Sequence, residues 1–166
     1  LGIDGRNIQI DRCFLQSGEN TAVVTGTIYN ALEASGYPKV VLSLESPTLS
    51  IDPLLYWEFE DDESDEETSF DYSVAVKVDH VKLGDFNGAN LVGTVYNRGD
   101  WIMGDAMRID GCDGMLGGNW ALYEEGADNV FKGDLFLKSI ELDQLLTSFN
   151  SFDIEDLDAS NLLGEA

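Results

Sequence analysis

The chain has 166 residues, 43% of them hydrophobic, and its 32 acidic and 9 basic side chains give a formal net charge of −23. A field of that sign repels phosphate backbones and anionic headgroups, which makes nucleic acid a poor partner and argues against electrostatic docking on an anionic membrane surface. No run of about 18 apolar residues is present to span a bilayer.

The length suits one sizeable core. The chain opens on Leu1 and closes on Ala166 inside a strand-like stretch, so it reads as a single β-rich fragment, residues 1–166, of a longer protein. Ile8 to Leu15 reads as a strand, with Gln16 to Asn20 as its turn. Thr21 to Tyr29 follows with Ala22, Val24, Gly26 and Ile28 on one face and Val23, Thr25, Thr27 and Tyr29 on the other, a pattern that suits a pleated surface. Asn30 to Pro38 is a loop with room for one helical turn. Lys39 to Glu45 forms the third strand, and Thr48 to Ile51 continues it past Pro47, whose missing N–H predicts a bulge or an edge position.

Glu58 to Thr68 is a run of like charges with only Phe59 to bury, and is expected to be a disordered, solvated loop. It lacks the spaced ligands, the glycine and the final glutamate of a calcium loop. From Phe70 the strands come quickly: Tyr72 to Val78, Ala89 to Tyr96, Trp101 to Ile109, Met115 to Tyr123 and Val130 to Leu142. Turns at Asn97 to Asp100, Asp110 to Gly114 and Glu124 to Asn129 are short enough to force antiparallel neighbours, a meander. Alternation runs on through Ile140 and Leu142 to Asp143, placed to cap a short helix that ends near Phe149-Asn150. Asn161 to Ala166 begins another strand.

Strand units recur. Leu44 to Leu55 (LESPTLSIDPLL) echoes Leu135 to Leu146, with Asp52 in the place of Asp143 and Pro53 at a first helical position. Ile8 to Cys13 (IQIDRC) echoes Met107 to Cys112 (MRIDGC), and Gly26 to Asn30 (GTIYN) echoes Gly93 to Asn97 (GTVYN). The offsets differ, which describes a β-architecture of re-used strands with insertions and not a strict tandem array. The predicted fold class is all-β with one or two short helices, an antiparallel meander forming a curled sheet or groove, the alternative being a β-sandwich.

Chemistry leaves few marks. The only histidine, His80, follows an alternating strand and reads as a surface residue. Cys13 and Cys112 occupy matching positions of one echo; they read as two buried small residues, and a disulfide would require the echoed strands to be neighbours. Neither has metal-ligand spacing, and there is no nucleophile elbow or P-loop. Gly117-Gly118 reads as a turn or bulge, and Arg98-Gly99-Asp100 as a hairpin turn and not an adhesion tripeptide. No catalytic residue, metal or cofactor is assigned.

The chain resembles the AsmA-like proteins of Gram-negative envelopes, related to the TamB group, most nearly the C-terminal region of Bacteroidetes forms. The segments that carry the resemblance are Thr25 to Asn30 with Leu42 to Leu55, Asn90 to Val95, Gly114 to Trp120, Leu135 to Phe152 and Leu157 to Ala166. The acidic run Glu58 to Thr68 departs from the family pattern as an insertion, and the family's membrane anchor would lie outside this fragment. The resemblance implies a long antiparallel sheet curled into a groove, in a periplasmic protein anchored to the inner membrane. It implies a non-enzymatic role in outer-membrane biogenesis, with phospholipid as the partner, its acyl chains bound or conducted along the groove. The residues that would line such a groove are Leu42, Leu44, Val95, Leu135 and Leu137. The alternative is a secreted β-sandwich adhesion or carbohydrate-binding module, which predicts Trp57, Trp101, Trp120 and Tyr123 clustered on one patch. An enzyme ranks last, for want of a selected constellation.

Overall fold

The computed structural model describes residues 1–33, 37–52, 70–99, 101–125 and 128–149. The acidic run Glu58 to Thr68, Pro53 with Leu54 and Leu55, Trp57, and the strand expected over Asn161 to Ala166 lie outside these residues. The described strands are β1 (Gly2–Asp4), β2 (Asn7–Ser17), β3 (Asn20–Tyr29), β4 (Lys39–Ser50), β5 (Asp71–Leu83), β6 (Phe86–Arg98), β7 (Trp101–Gly111), β8 (Gly114–Glu125) and β9 (Asp128–Lys138), followed by one helix, α1 (Leu142–Ser148). All nine strands lie in one sheet in chain order, which does not close on itself. Among the described residues there is no second sheet, so the sandwich alternative is set aside in favour of an open, curled sheet.

The meander holds from β5 to β9, as the short turns require. One pair breaks the pattern: β4 and β5 run parallel, Lys39 opposite Asp71 and Ser50 opposite Lys82.

Apolar phase is kept by bulges. The register shifts between Ile10 and Cys13 on β2, between Thr21 and Val23 where β4 carries Ser46 and Pro47, between Ala89 and Val92 on β6, and between Gly104 and Arg108 on β7. Each adds a residue, bends its strand and restores the alternation on the far side. Pro47 falls at a bulge, as its missing donor predicts; the neighbouring Ser46 hydroxyl is buried within 2.6 Å of the Thr21 carbonyl and 2.8 Å of that of Thr48. At the β7 bulge Ala106 takes φ +50° and donates its N–H to Asn119 Oδ1 at 2.8 Å.

Gly117 and Gly118 form no turn. They lie inside β8, opposite Arg108 and Met107. Gly118 has φ +151°, and a Cβ there would stand 2.1 Å from the Asp134 carbonyl oxygen. Only glycine lets β8 and β9 approach at that point.

The tightest packing sits at one end of the sheet. Val78 is fully buried, with Val81, Phe86, Leu145 and Leu146 close to it in burial. Phe86 stacks on Phe149 at 5.2 Å between centroids and covers Gly111, while Ile109 covers Gly88. The Glu141 N–H donates to the Cys112 carbonyl at 3.0 Å, fixing α1 to the β7–β8 turn. The entry to α1 differs from expectation. The strand stops at Lys138 because Ser139 takes φ +53°, so Ile140 and Leu142 leave the sheet. Glu141 is the N-cap, without a side-chain cap, and Asp143 falls in the first turn, where its charge favours the helix dipole. Asp52 also does other work: its carboxylate accepts from the Gly84 N–H at 2.8 Å, across the β5–β6 turn.

The cysteines are neither paired nor fully buried. Cys13 is exposed within β2, and Cys112 is half-buried in the β7–β8 turn with φ +50°. Their echoed hexapeptides therefore do not fold alike. Burial pushes the Cys112 thiol up, with Asp113 and Asp143 adding to the rise against a hydrogen bond with Ser148.

Two outcomes check this description. Gly118→Ala is expected to lower stability by about 2 kcal/mol in urea unfolding, since the substitution forces both strain and a backbone clash. Iodoacetamide at pH 8 is expected to label Cys13 well before Cys112 in the folded chain, and both alike in urea.

Candidate functional site

Strand register brings the five expected groove residues to one face. Leu42 pairs with Val74, Val74 with Val95, and Val95 with Gly104, over which the Trp120 indole lies. One row further, Leu44 pairs with Val76 and Val76 with Gly93. The Met107 side chain fills the space above Gly93, and Met107 pairs with Gly118, itself opposite Leu135. A third row runs from Ile109 through Leu116 to Leu137. Leu42, Leu44 and Val95 are half-buried in the middle of the sheet, whereas Leu135 and Leu137 are 68% and 49% exposed on β9.

The rows converge on an apolar cleft of about 150 Å³. Leu91, Met107, Ile109, Leu116, Leu135 and Leu137 line it, with almost no polar surface. Ile109 joins this cleft to the Phe86 cluster, so α1 stands at its lower end. Leu91, Met107, Ile109 and Leu116 were missed as groove residues. The alternation Met107–Ile109 is visible in the sequence, but the bulge at Asp105 and Ala106 hides that it shares the face of Gly104.

The opposite face is wetter. Trp101 stacks on Tyr123 at 4.1 Å, and Lys132 Nζ lies over the tyrosine ring, 5.0 Å from its centroid. Below them is a depression of about 600 Å³ that includes Tyr96, Met103, Asp105, Asn119 and Asp134. Trp120 instead stacks on Phe131 at 6.1 Å, on the groove face. Alternation along β8 thus parts Trp120 from Tyr123, and the described aromatics form no single patch. His80 is an exposed residue inside β5. Among the described residues no cluster of three histidine, cysteine or carboxylate groups could hold a metal ion, and no helix is long and apolar enough to cross a membrane.

Comparison with known proteins returns no match: no family model, curated protein or solved structure is similar to this chain.

The Tyr123 contact raises the pKa of Lys132 above its ordinary 10.5, through the hydrogen bond and then the charge of the phenolic group. The contribution is fully present below the ordinary value and is lost as pH rises through the raised one. Urea unfolding of wild type and Lys132→Met is therefore expected to differ at pH 9 and to converge in strong alkali.

Proposed function

We propose that this chain binds lipid acyl chains along the apolar face of its open sheet. In this reading it is a non-enzymatic segment of an AsmA-like envelope protein, handling phospholipid in the periplasm between the two membranes. The observation that carries the reading is the continuous apolar face, which no second layer covers above α1 among the described residues. Contiguous exposed apolar surface of this kind is unusual unless something binds it.

The dimensions suit the ligand. From β4 to β9 the row Leu44–Val76–Met107–Leu135 crosses five inter-strand spacings, about 24 Å in all. One leaflet of hydrocarbon is roughly 15 Å thick, so a membrane acyl chain fits along it. Chain binding to such a face is driven by removal of methylene surface from water and needs no charged partner. The net charge of −23 keeps the chain soluble with that face bare and does not bear on the tail.

Native mass spectrometry of the purified chain, with and without added phospholipid, is the direct measurement. Bound phospholipid is expected, and a fluorescent fatty acid should compete for it. Leu135→Asp combined with Leu137→Asp is expected to weaken fatty-acid binding by about a hundredfold, from the loss of two leucine contacts at roughly 1.5 kcal/mol each. Both residues lie on an exposed edge strand, so folding should survive. An apo mass in all conditions, or unchanged affinity in the double variant, would remove the reading.

A further inference from the structure

The two edges of the sheet are treated differently. At one edge β1 is only three residues long, and β2 beside it carries a bulge between Ile10 and Cys13. Short strands and bulges are devices that prevent another chain from adding on. At the other edge β9 runs for 11 residues with no proline and no break in its register against β8. Among the described residues nothing pairs with its outer side. Phe131, Leu135, Phe136 and Leu137 are all at least 49% exposed along it.

The sequence of β9 is complementary to itself. Let two copies of the strand run antiparallel about a two-fold axis through Gly133, the midpoint of Asp128–Lys138. The whole strand is then paired, residue 128 opposite residue 138. Lys132 of each copy stands opposite Asp134 of the other. On the groove face Phe131 stands opposite Leu135, and on the other face Val130 stands opposite Phe136. Centring the axis one residue either way instead places Lys132 opposite Lys132, or Asp134 opposite Asp134. Axes between residues join the apolar face of one copy to the polar face of the other. The Gly133 register alone pairs the whole strand while matching charge and face together.

We propose that this chain forms a two-fold dimer through β9, with Gly133 on the axis and Lys132 opposite Asp134 of the second copy. The pairing is isologous, as most two-fold interfaces are. It satisfies the open backbone groups of β9 and joins two nine-stranded sheets into one. The two apolar faces then become continuous, Phe131 and Leu135 meeting across the axis. Lys132 and Asp134 offset each other, so the strand centre is locally neutral in a chain of net charge −23.

The test is a charge swap on the full 166-residue chain, read by sedimentation velocity over a hundredfold range of concentration. Wild type is expected to dimerise. Lys132→Asp sets carboxylate against carboxylate at both symmetry-related pairs, and Asp134→Lys sets ammonium against ammonium at both; each is expected to weaken the dimer at least tenfold. The double variant Lys132→Asp/Asp134→Lys restores opposite charges in the same register and is expected to recover the dimer. Circular dichroism on each variant separates lost pairing from lost folding, and the double variant keeps the net charge of wild type. A wild type that stays monomeric throughout, single variants that dimerise as wild type does, or a folded double variant that stays monomeric would each overturn the proposal. Lipid binding to a monomeric wild type would leave the acyl-chain reading standing without this one.

Discussion

A single sheet with one apolar face must keep its alternation in phase across every strand it contains. Side chains alternate with a period of two, so one residue out of step turns an entire strand inside out. Strands of 10 to 13 residues give many chances to lose that phase. Here it is reset by local insertions on β2, β4, β6 and β7, which keep Ile10, Leu44, Leu91 and Met107 on a common face with residues beyond the bulge. Each insertion costs a ladder position. A side-chain amide repairs part of that loss where Asn119 accepts from the Ala106 N–H. The same insertions bend the strands that carry them.

Burial is uneven as a result. The most enclosed side chains gather where α1 crosses the ends of the strands, around Val78, Val81, Phe86, Leu145 and Leu146. Above that point the apolar rows are only half-covered, by their own neighbours and by Trp120 and Met107 lying over glycines. Glycine at 93, 104 and 118 therefore has a double effect. It admits a large side chain or a neighbouring backbone, and it keeps the floor of the face smooth. The remaining surface is strongly charged, which favours solubility for a chain with such a face.

The exposed edge strand links the two readings of this molecule. Leu135 and Leu137 belong both to the apolar cleft and to β9. Pairing along that strand would extend the trough sideways without closing it, since new strands add in the plane of the sheet and leave its faces free. A lipid face and a dimer edge are thus compatible on one strand. Side chains pointing to the groove face would serve the first, and backbone groups in the plane of the sheet the second.

The amino-acid sequence by itself determined an all-β chain with a short helix and the meander after Phe70, and narrowed Pro47 to a bulge or an edge position. These follow from period-two alternation, turn residues and a missing donor, all of which act within a few residues. Only the tertiary structure decided the parallel pairing of β4 with β5, the phase shift at Asp105 and Ala106, the separation of Trp101 from Trp120, and the left-handed Ser139 that ends β9 before Ile140. It also decided that Cys13 and Cys112 lie in unlike surroundings despite their matching hexapeptides. Each of these depends on which distant strand lies alongside and in what register. Hydrogen bonds between strands join residues far apart in the chain, and local preferences on the order of 1 kcal/mol yield to them.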